Sequence, residues 1–323
     1  MNNYRKIVVL AGGFSSEREI SLKSGQAVFR ALKDAKKNVE FIDLDRDYRS
    51  TIRALDADVV FIALHGKLGE DGTIQELLEE RNIPYTGSDV LASRTALDKT
   101  ASKKIFLLNN LKVPAYKIFK KGEEITGSFL EFETPFVVKP VHEGSSIGLS
   151  IVTEKLHAEK ALNIALEYGE SVIVEEYIHG RELTVGILGG EPLPVVEIST
   201  RHNVYDYKAK YIDEGTKYIV PARLTKGQQK KVQSSAILAH KALGCRDFSR
   251  VDLRMDSSNE VYVLEVNTIP GMTERSLLPK AAKKAGINFE NLCIKLLELA
   301  YERKGKQNVE KNQEEAKEYS KKK

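Results

Sequence analysis

Two short apolar runs, Ile7–Ala11 and Val59–Leu64, with the strand-like stretch Val39–Leu44 between them, constrain the N-terminal end of the chain most tightly. Each is bounded by turn residues, and helix-length stretches separate them. Continuous apolar runs suit strands buried on both faces, and crossover connections of this length make an open parallel sheet. Sites in such a sheet lie beyond the strand C-termini, here at Gly12-Gly13 and His65-Gly66. Ser16 and Glu19 fit a capping box, followed by a helix whose inner face is read as Ile20, Ala27, Val28 and Ala31.

A second segment begins near residue 88. Asp98 to Asn109 reads as a helix with Ile105 and Leu108 inward. Phe136–Pro140 and Ser171–Ile178 read as strands, with the loop Glu143–Gly148 between them. In the last segment Glu182–Leu188 is a strand, and a polar loop runs from about Thr200 to Tyr218. The helix opening at Thr225 has Val232, Ala236, Ala239 and Leu243 on its inner face, with Gly244 as its cap. Val251–Met255 and Val261–Val266 form a hairpin. The alternation of strands and helices implies an α/β or α+β enzyme-like chain.

At 323 residues the chain is long enough for two or more domains with their own cores. Its two cysteines, Cys245 and Cys293, exclude a disulfide scaffold and a four-cysteine zinc ribbon and fit a reducing compartment. The net charge of +4 at first suggests an anionic partner, but residues 302–323 supply +3 of it and the body is nearly neutral. Neither a basic stripe nor stacking aromatics support nucleic-acid binding. No run of about 18 apolar residues exists, and Ile7–Ala11 is too short for a signal sequence, so a soluble cytoplasmic protein is expected.

The strongest chemical signal is the hairpin Val251-Asp252-Leu253-Arg254 and Leu264-Glu265-Val266-Asn267. Strand alternation projects Glu265 and Asn267 together, with Leu264 and Val266 opposite, and antiparallel pairing adds Asp252. Two carboxylates and an amide oxygen suit Mg²⁺ with phosphates, although a polar outer face of a hairpin has the same pattern. Carboxylates set in apolar strands are costly without a partner, which favours the site. Lys139 with Ser145 and Ser146 of the glycine-serine loop offers charge and donors to phosphate, or is an ordinary turn. The loop is not a Walker A, and Gly12-Gly13 lacks the dinucleotide fingerprint. Glu17 either favours a helix dipole or receives an ammonium group. His65 is a site residue or a satisfied histidine, while Glu70 and Asp71 read as loop charges. The aromatic loop Tyr205–Tyr211 is either exposed or a lid over a charged substrate.

Six segments in order, GGFSSEREISL, ALHGKLGEDG, VVKPVHEGSSIG, VYDYKAKY, SRVDLRMD and LEVNTIPGMTERS, make residues 5–300 resemble the D-alanine–D-alanine ligases of the ATP-grasp superfamily. The resemblance implies an ATP-grasp fold with an N-terminal open parallel-sheet domain over 1–87, a central lobe over 88–174, a C-terminal lobe with the metal site over 175–301 and a charged tail over 302–323. It implies that ATP and D-alanine form a D-alanyl phosphate, which a second D-alanine attacks to give the dipeptide for peptidoglycan. Lys99, Lys139, Ser146 and Lys210 are expected on the ATP phosphates, Glu175, Tyr177, Ile178 and Leu264 around the adenine, and Glu182 on the ribose. Asp252, Glu265 and Asn267 are expected to bind two Mg²⁺ ions, or Mn²⁺ in their place. Glu17 is expected on the first D-alanine ammonium, His65 beside the substrates, Ser276 and Leu277 on the second carboxylate, and Arg250 with the Gly271 N–H on the oxyanion. Glu17, Ser145 and Tyr211 are expected to form a hydrogen-bonded triad closing the lid. The family also implies a homodimer.

Val141-His142 departs from the small and basic residues many relatives carry there, and the tail lies outside the family pattern. Tyr211, which relatives making the D-lactate ester tend to replace, favours D-alanine as second substrate; D-serine is harder to exclude, because a pocket rejects an added hydroxyl weakly. A related carboxylate–amine or depsipeptide ligase and a catalytically silent nucleotide-binding protein are the competing readings. The silent protein would lack a metal ligand or Arg250, and neither is missing.

Overall fold

The computed structural model describes residues 5–123, 132–199 and 216–304. In the first lobe, β1 (Ile7–Gly12), β2 (Val39–Leu44) and β3 (Val59–Ile62) form a parallel sheet in the order β2-β1-β3. Every residue of the central strand β1 is buried, as its unbroken apolar run requires.

Helix α1 (Arg18–Asp34) crosses over this sheet with a buried stripe of Ser21, Ser24, Gly25, Val28 and Leu32. The expected face was one step out of register: Ile20 is half-buried and lines a cavity, while small polar residues face the strands. Close approach explains this. A Cβ at Gly25 would lie 2.4 Å from that of Ala11, and Ser21 Oγ donates to the Ala63 carbonyl while accepting from Gly12 N–H, both at 2.8 Å. The expected capping box does not form. The helix begins at Arg18 after Glu17, and Ser15 Oγ accepts from Glu17 N–H while donating to the His65 carbonyl. A tertiary contact has displaced the local cap.

Helices α2 (Tyr48–Arg53) and α3 (Thr73–Glu80) complete the first lobe. Asp98 ends α4 (Val90–Leu97) and caps α5 (Lys99–Leu108), accepting from Thr100 and Ala101 N–H at 2.8 and 3.0 Å. Helix α5 buries Lys99, Ser102, Lys103 and Phe106. Leu108, expected inward, is exposed, and Ile105 is only partly buried. Apolar periodicity misreads this helix because lysines with buried counterions occupy its inner face.

The central sheet is antiparallel in the order β4-β7-β5-β6, from Tyr116–Lys120, Ser171–Glu176, Phe136–Pro140 and Ser150–Val152. Helix α6 (Ala158–Leu166) covers it through Ala158, Ala161, Leu162 and Ala165. The large sheet runs β11-β10-β8-β12-β13, with β9 (Glu191–Pro192) paired to β8. Its strands are Lys217–Ile219, Val196–Ser199, Arg181–Leu188, Phe248–Met255 and Val261–Asn267. Helix α7 (Lys226–Ala242) starts from a Thr225–Gln228 capping box and packs Val232, Ala236 and Ala239 inward.

The cores cross the expected boundaries. Helix α8 (Leu277–Lys284) and the last helix, α9 over 289–304, share one cluster with β1 and β3. Ala96, Phe106 and Leu111 belong to the cluster of the large sheet rather than the central one, and the boundary at 174/175 falls inside β7. The last helix continues past 302, where a tail was expected. Arg303 pairs with Asp247 at 2.6 Å and donates to the Tyr85 carbonyl at 2.8 Å. Burial pushes the Cys245 thiol up to about 12 and raises that of Cys293, in keeping with inert packing residues.

Replacing Gly25 by Val should cost about 2 kcal/mol or more of folding stability by overpacking against Ala11 and Phe41. Urea denaturation checks this; an unchanged midpoint would show that the helix has room to shift.

Candidate active site

Two hollows meet along β13. One is a cavity of about 270 Å³ bounded by α1, the His65 turn, the Gly144-Ser145 loop, Arg250 and the segment 269–277. The other is a cleft of about 90 Å³ between the central and large sheets. Asn267 lines the cavity and Leu264 the cleft.

A β-bulge produces that division. Asp252 pairs with Glu265, but Leu253 pairs with Val263, so Leu264 is the extra residue. The expectation that Leu264 lies opposite Glu265 is therefore overturned. Val261, Val263 and Val266 enter the core, whereas Leu264 lines the cleft. Strict alternation fails at the one residue inserted.

In the cavity Glu17 is 6% exposed and accepts from Ser145 Oγ. Its Oε2 would be 2.7 Å from a Cβ at Gly66 and 2.9 Å from one at Gly144, so two glycines make room for this carboxylate. Ser145 and Ser146 both have positive φ, 48° and 59°, a region L-residues enter rarely.

His65 is buried, with Nδ1 3.0 Å from the Ile269 carbonyl and Nε2 3.1 Å from Ser24 Oγ. A carbonyl only accepts, so in the neutral ring Nδ1 carries the proton and Nε2 accepts from Ser24. Ser24 Oγ in turn accepts from Met272 N–H at 3.2 Å. Glu70, read from sequence as a loop charge, lines this cavity 3.6 Å from His65 Nδ1. Burial, and then nearby Glu17, push its carboxyl above the usual range despite the opposing pull of His65. Asp71 does serve the loop, accepting from Leu68 and Thr73 N–H.

At the far wall Ser276 precedes α8, and its Oγ accepts from Thr273 N–H at 3.1 Å. A Cβ at Gly271 would meet that oxygen at 3.0 Å. Leu277 is buried at the cavity edge.

Arg250 clasps Asp252 with both limbs, Nε to Oδ1 at 2.9 Å and Nη2 to Oδ2 at 2.7 Å. Thr184 Oγ1 donates to Oδ1 at 2.6 Å and Asn267 Nδ2 to Oδ2 at 3.1 Å. Asp252 and Glu265 are direct cross-strand partners, an arrangement of like charges that is unfavourable without a cation. Their oxygens and the Asn267 amide form a hard donor set that fits Mg²⁺, provided Asp252 exchanges some of its present donors. Among the described residues no group of three or more His, Cys, Asp or Glu is disposed to hold a metal, so such a site depends on the amide and on phosphate oxygens.

A buried charge cluster lies behind the cleft, reaching it through Lys139 and Glu175. Glu175, 2% exposed, takes Lys103 Nζ at 3.0 Å and Lys139 Nζ at 2.8 Å. Lys99 lies 3.9 Å from Glu265 and donates to the Glu143 carbonyl. Burial alone would raise the Glu175 carboxyl, but Lys103 and Lys139 outweigh it and hold it below the usual range. Burial, aided by neighbouring Lys139, lowers the Lys99 ammonium, and Glu265 only partly offsets this. Burial lowers the Lys103 ammonium too, with Glu175 opposing it; three lysines grouped against Glu175 and Glu265 make a lysine-rich cluster suited to an anion. Tyr177, Ile178, Glu182 and Arg254 line the other side, with Arg254 stacked 4.8 Å over the Tyr177 ring. The sequence gives no role to Lys103, Thr184 and Arg254, and it offers Glu70 only as a loop charge. Only Lys103 left a signal, its helical spacing of four from Lys99. Lys210, Tyr211 and the loop Tyr205–Tyr211 lie outside the described residues.

Replacing Glu175 by Gln should destabilise the fold by about 3 kcal/mol, because it leaves wholly buried Lys103 without its counterion. The folded carboxyl lies below its ordinary value of 4.5, so its stabilisation is complete above that pH and fades as pH falls through the folded value. Denaturant unfolding of both proteins from pH 3 to pH 7 checks this. A stability gap that stays constant down to pH 3 would contradict it.

Comparison with known proteins follows the same geometry. The D-ala D-ala ligase C-terminus family matches residues 108–298 and the D-ala D-ala ligase N-terminus family residues 47–88. The D-alanine–D-alanine ligase of Syntrophotalea carbinolica is 44% identical over 293 residues, 91% of this chain and 95% of that protein. The crystal structure of D-alanine–D-alanine ligase from Bacillus anthracis superposes with a TM-score of 0.85 at 36% identity, covering 94% of this chain and 99% of that one. Its complex with ATP gives 0.81 at 32% with the same coverage. The VanG D-Ala:D-Ser ligase of Enterococcus faecalis gives 0.79 at 33% identity, covering 92% of this chain and 99% of that one.

Proposed function

The chain belongs to the D-alanine–D-alanine ligase family, and from that premise we propose that it joins two D-alanine molecules, coupled to conversion of ATP to ADP and phosphate. The observation that carries this reading is β13, whose bulge sets a nucleotide-facing cleft and a small polar cavity on adjacent stretches of one strand.

ATP binds in the cleft. Glu175 and the backbone of Tyr177 and Ile178 meet the adenine, Leu264 supplies an apolar surface, and Glu182 meets the ribose. Lys99, Lys139 and Ser146 hold the phosphates, with Lys210 from the loop, and the lysine-rich cluster supports this. Asp252, Glu265 and Asn267 would hold two Mg²⁺ ions, which would supply charge neutralisation at the phosphates. Glu17 orients the first D-alanine through its ammonium, beside His65. The substrate carboxylate then attacks the γ-phosphorus, giving D-alanyl phosphate and ADP. Ser276 and the Leu277 backbone hold the second carboxylate. Its amine attacks the acyl carbon, Arg250 and the Gly271 N–H stabilise the oxyanion, and phosphate leaves. The Ser145–Glu17 hydrogen bond supports the expected triad with Tyr211.

A homodimer, cytoplasmic residence and a supply of dipeptide to peptidoglycan synthesis belong to the same proposal. Among the described residues no helix is long and apolar enough to cross a membrane. D-serine as second substrate is the other reading, favoured by the likeness to the D-Ala:D-Ser ligase.

Incubation with ATP, Mg²⁺ and D-alanine should yield the dipeptide and phosphate by mass spectrometry; phosphate release only with D-lactate, or no product, would sink the reading. Glu265→Gln should lower turnover about 100-fold or more with the fold intact. Near-normal turnover at saturating Mg²⁺ would remove the metal assignment. Tyr211→Phe should raise D-lactate ester relative to dipeptide, and an unchanged product ratio would count against the lid argument.

A further inference from the structure

Lys103 is the most deeply buried cation near the site, wholly inaccessible to solvent, yet it does not line the cleft. Its helix α5 packs Phe106 into the core of the large sheet, while its ammonium reaches the central sheet. There it lies 3.0 Å from Glu175 Oε1 and 5.6 Å from the centre of the Tyr116 ring. Tyr116 and Glu175 are direct partners across β4 and β7, so Lys103 sits behind the carboxylate, against the sheet. The other Glu175 oxygen faces Lys139 at 2.8 Å.

The two lysines differ in what else they serve. In the proposed reaction Lys139 also contacts the nucleotide phosphates, so its charge is shared once ATP arrives. Among the described residues Glu175 is the only ion-pair partner of Lys103. In the proposed reaction that pairing has no phosphate competing for it. An ionised carboxylate only accepts hydrogen bonds, whereas a protonated one also donates. The first welcomes an exocyclic amine and repels a carbonyl; the second accommodates either.

We propose that Lys103 is a positioning residue for nucleobase selection: it anchors Glu175 from behind as a pure acceptor, so that the cleft takes a base bearing an amino group and rejects one bearing a carbonyl at the same place. The proposal rests on the assignment of Glu175 to the adenine. The low carboxyl pKa of Glu175, set by the two lysines against its burial, agrees with it.

ATP and ITP differ at C6, amine against carbonyl, and at the adjoining N1, acceptor against N–H; in the proposed reading the C6 group is the one that faces Glu175, and a change of preference on altering Lys103 reads that group, which makes the pair the probes. The wild-type protein should prefer ATP in kcat/KM. In Lys103→Met the KM for ATP should rise about tenfold, kcat should change far less, and the ATP-over-ITP preference should shrink by about tenfold, the effect of one hydrogen bond. The KM of the variant for ATP should also climb as pH is lowered across the neutral range, where that of the wild type stays flat. Lys103→Arg should recover most of the preference. A Lys103→Met protein that keeps the wild-type preference and a flat KM profile overturns the proposal. Should Lys103→Met fold poorly, the Lys103→Met/Glu175→Gln pair removes both charges and should match Glu175→Gln alone in its ATP-to-ITP ratio. A further loss of preference in the double variant would show that Lys103 acts by another route and also overturns the proposal. A wild-type protein that uses ATP and ITP equally would instead remove the adenine assignment of Glu175, a failure distinguishable by needing no variant.

Discussion

The ion pair between buried Lys103 and Glu175 joins two bodies that otherwise have separate cores. Helix α5 belongs to the large sheet through Phe106, and Glu175 belongs to the central sheet. Among the described residues Lys103 has Glu175 as its one ion-pair partner, whereas Glu175 also has Lys139, so the buried lysine depends on the carboxylate more than the reverse. Lys139, from the neighbouring strand β5, completes the arrangement at 2.8 Å and faces the cleft. This contact between the lobes thus also lies behind the cleft proposed for the nucleotide. The lysine-rich cluster around it is the physical reason the cleft suits a polyphosphate.

The cavity depends on a second constraint, space. Glu17 can be buried beside the loop Gly144-Ser145 and the turn at Gly66 only because neither glycine carries a Cβ. Ser145 then supplies the donor that a buried carboxylate needs. Arg250, Thr184 and Asn267 do the same for Asp252, which faces Glu265 across the ladder. The catalytic machinery proposed above is therefore mostly oriented charge, with no side chain required as a covalent nucleophile.

Much of this was legible from the residues. The buried strand β1, the parallel sheet and the helix opening at Thr225 follow from local pattern. The segments that house Glu17, Lys139, Glu265 and Asn267 stand out as a set through the family resemblance; read singly, each leaves an ordinary turn, helix start or polar hairpin face open. What escaped has physical causes. Ser16 lost its cap to a tertiary bond between Ser15 and His65. Helix α1 was rotated because Ser21 and Gly25 pack more closely than Ala27 could. Leu108 was misplaced because α5 buries lysines. Leu264 crossed to the other face through a single-residue bulge, which period-two reasoning cannot register. Thr184 carries no local signal at all, since its partner Asp252 is on another strand, and Glu70 reads as one of two adjacent loop charges until the fold buries it beside His65.

The central claim is that the two hollows cooperate in one reaction, with the carboxylate of the first substrate reaching across β13 to the terminal phosphate. Isotopic labelling tests it directly. D-alanine labelled with ¹⁸O in its carboxylate would be supplied with ATP, and the released phosphate examined by mass spectrometry. An acyl phosphate broken by amine attack at carbon leaves its bridging oxygen on phosphorus, so each phosphate should carry one labelled oxygen. Phosphate formed without label alongside the dipeptide would contradict the account.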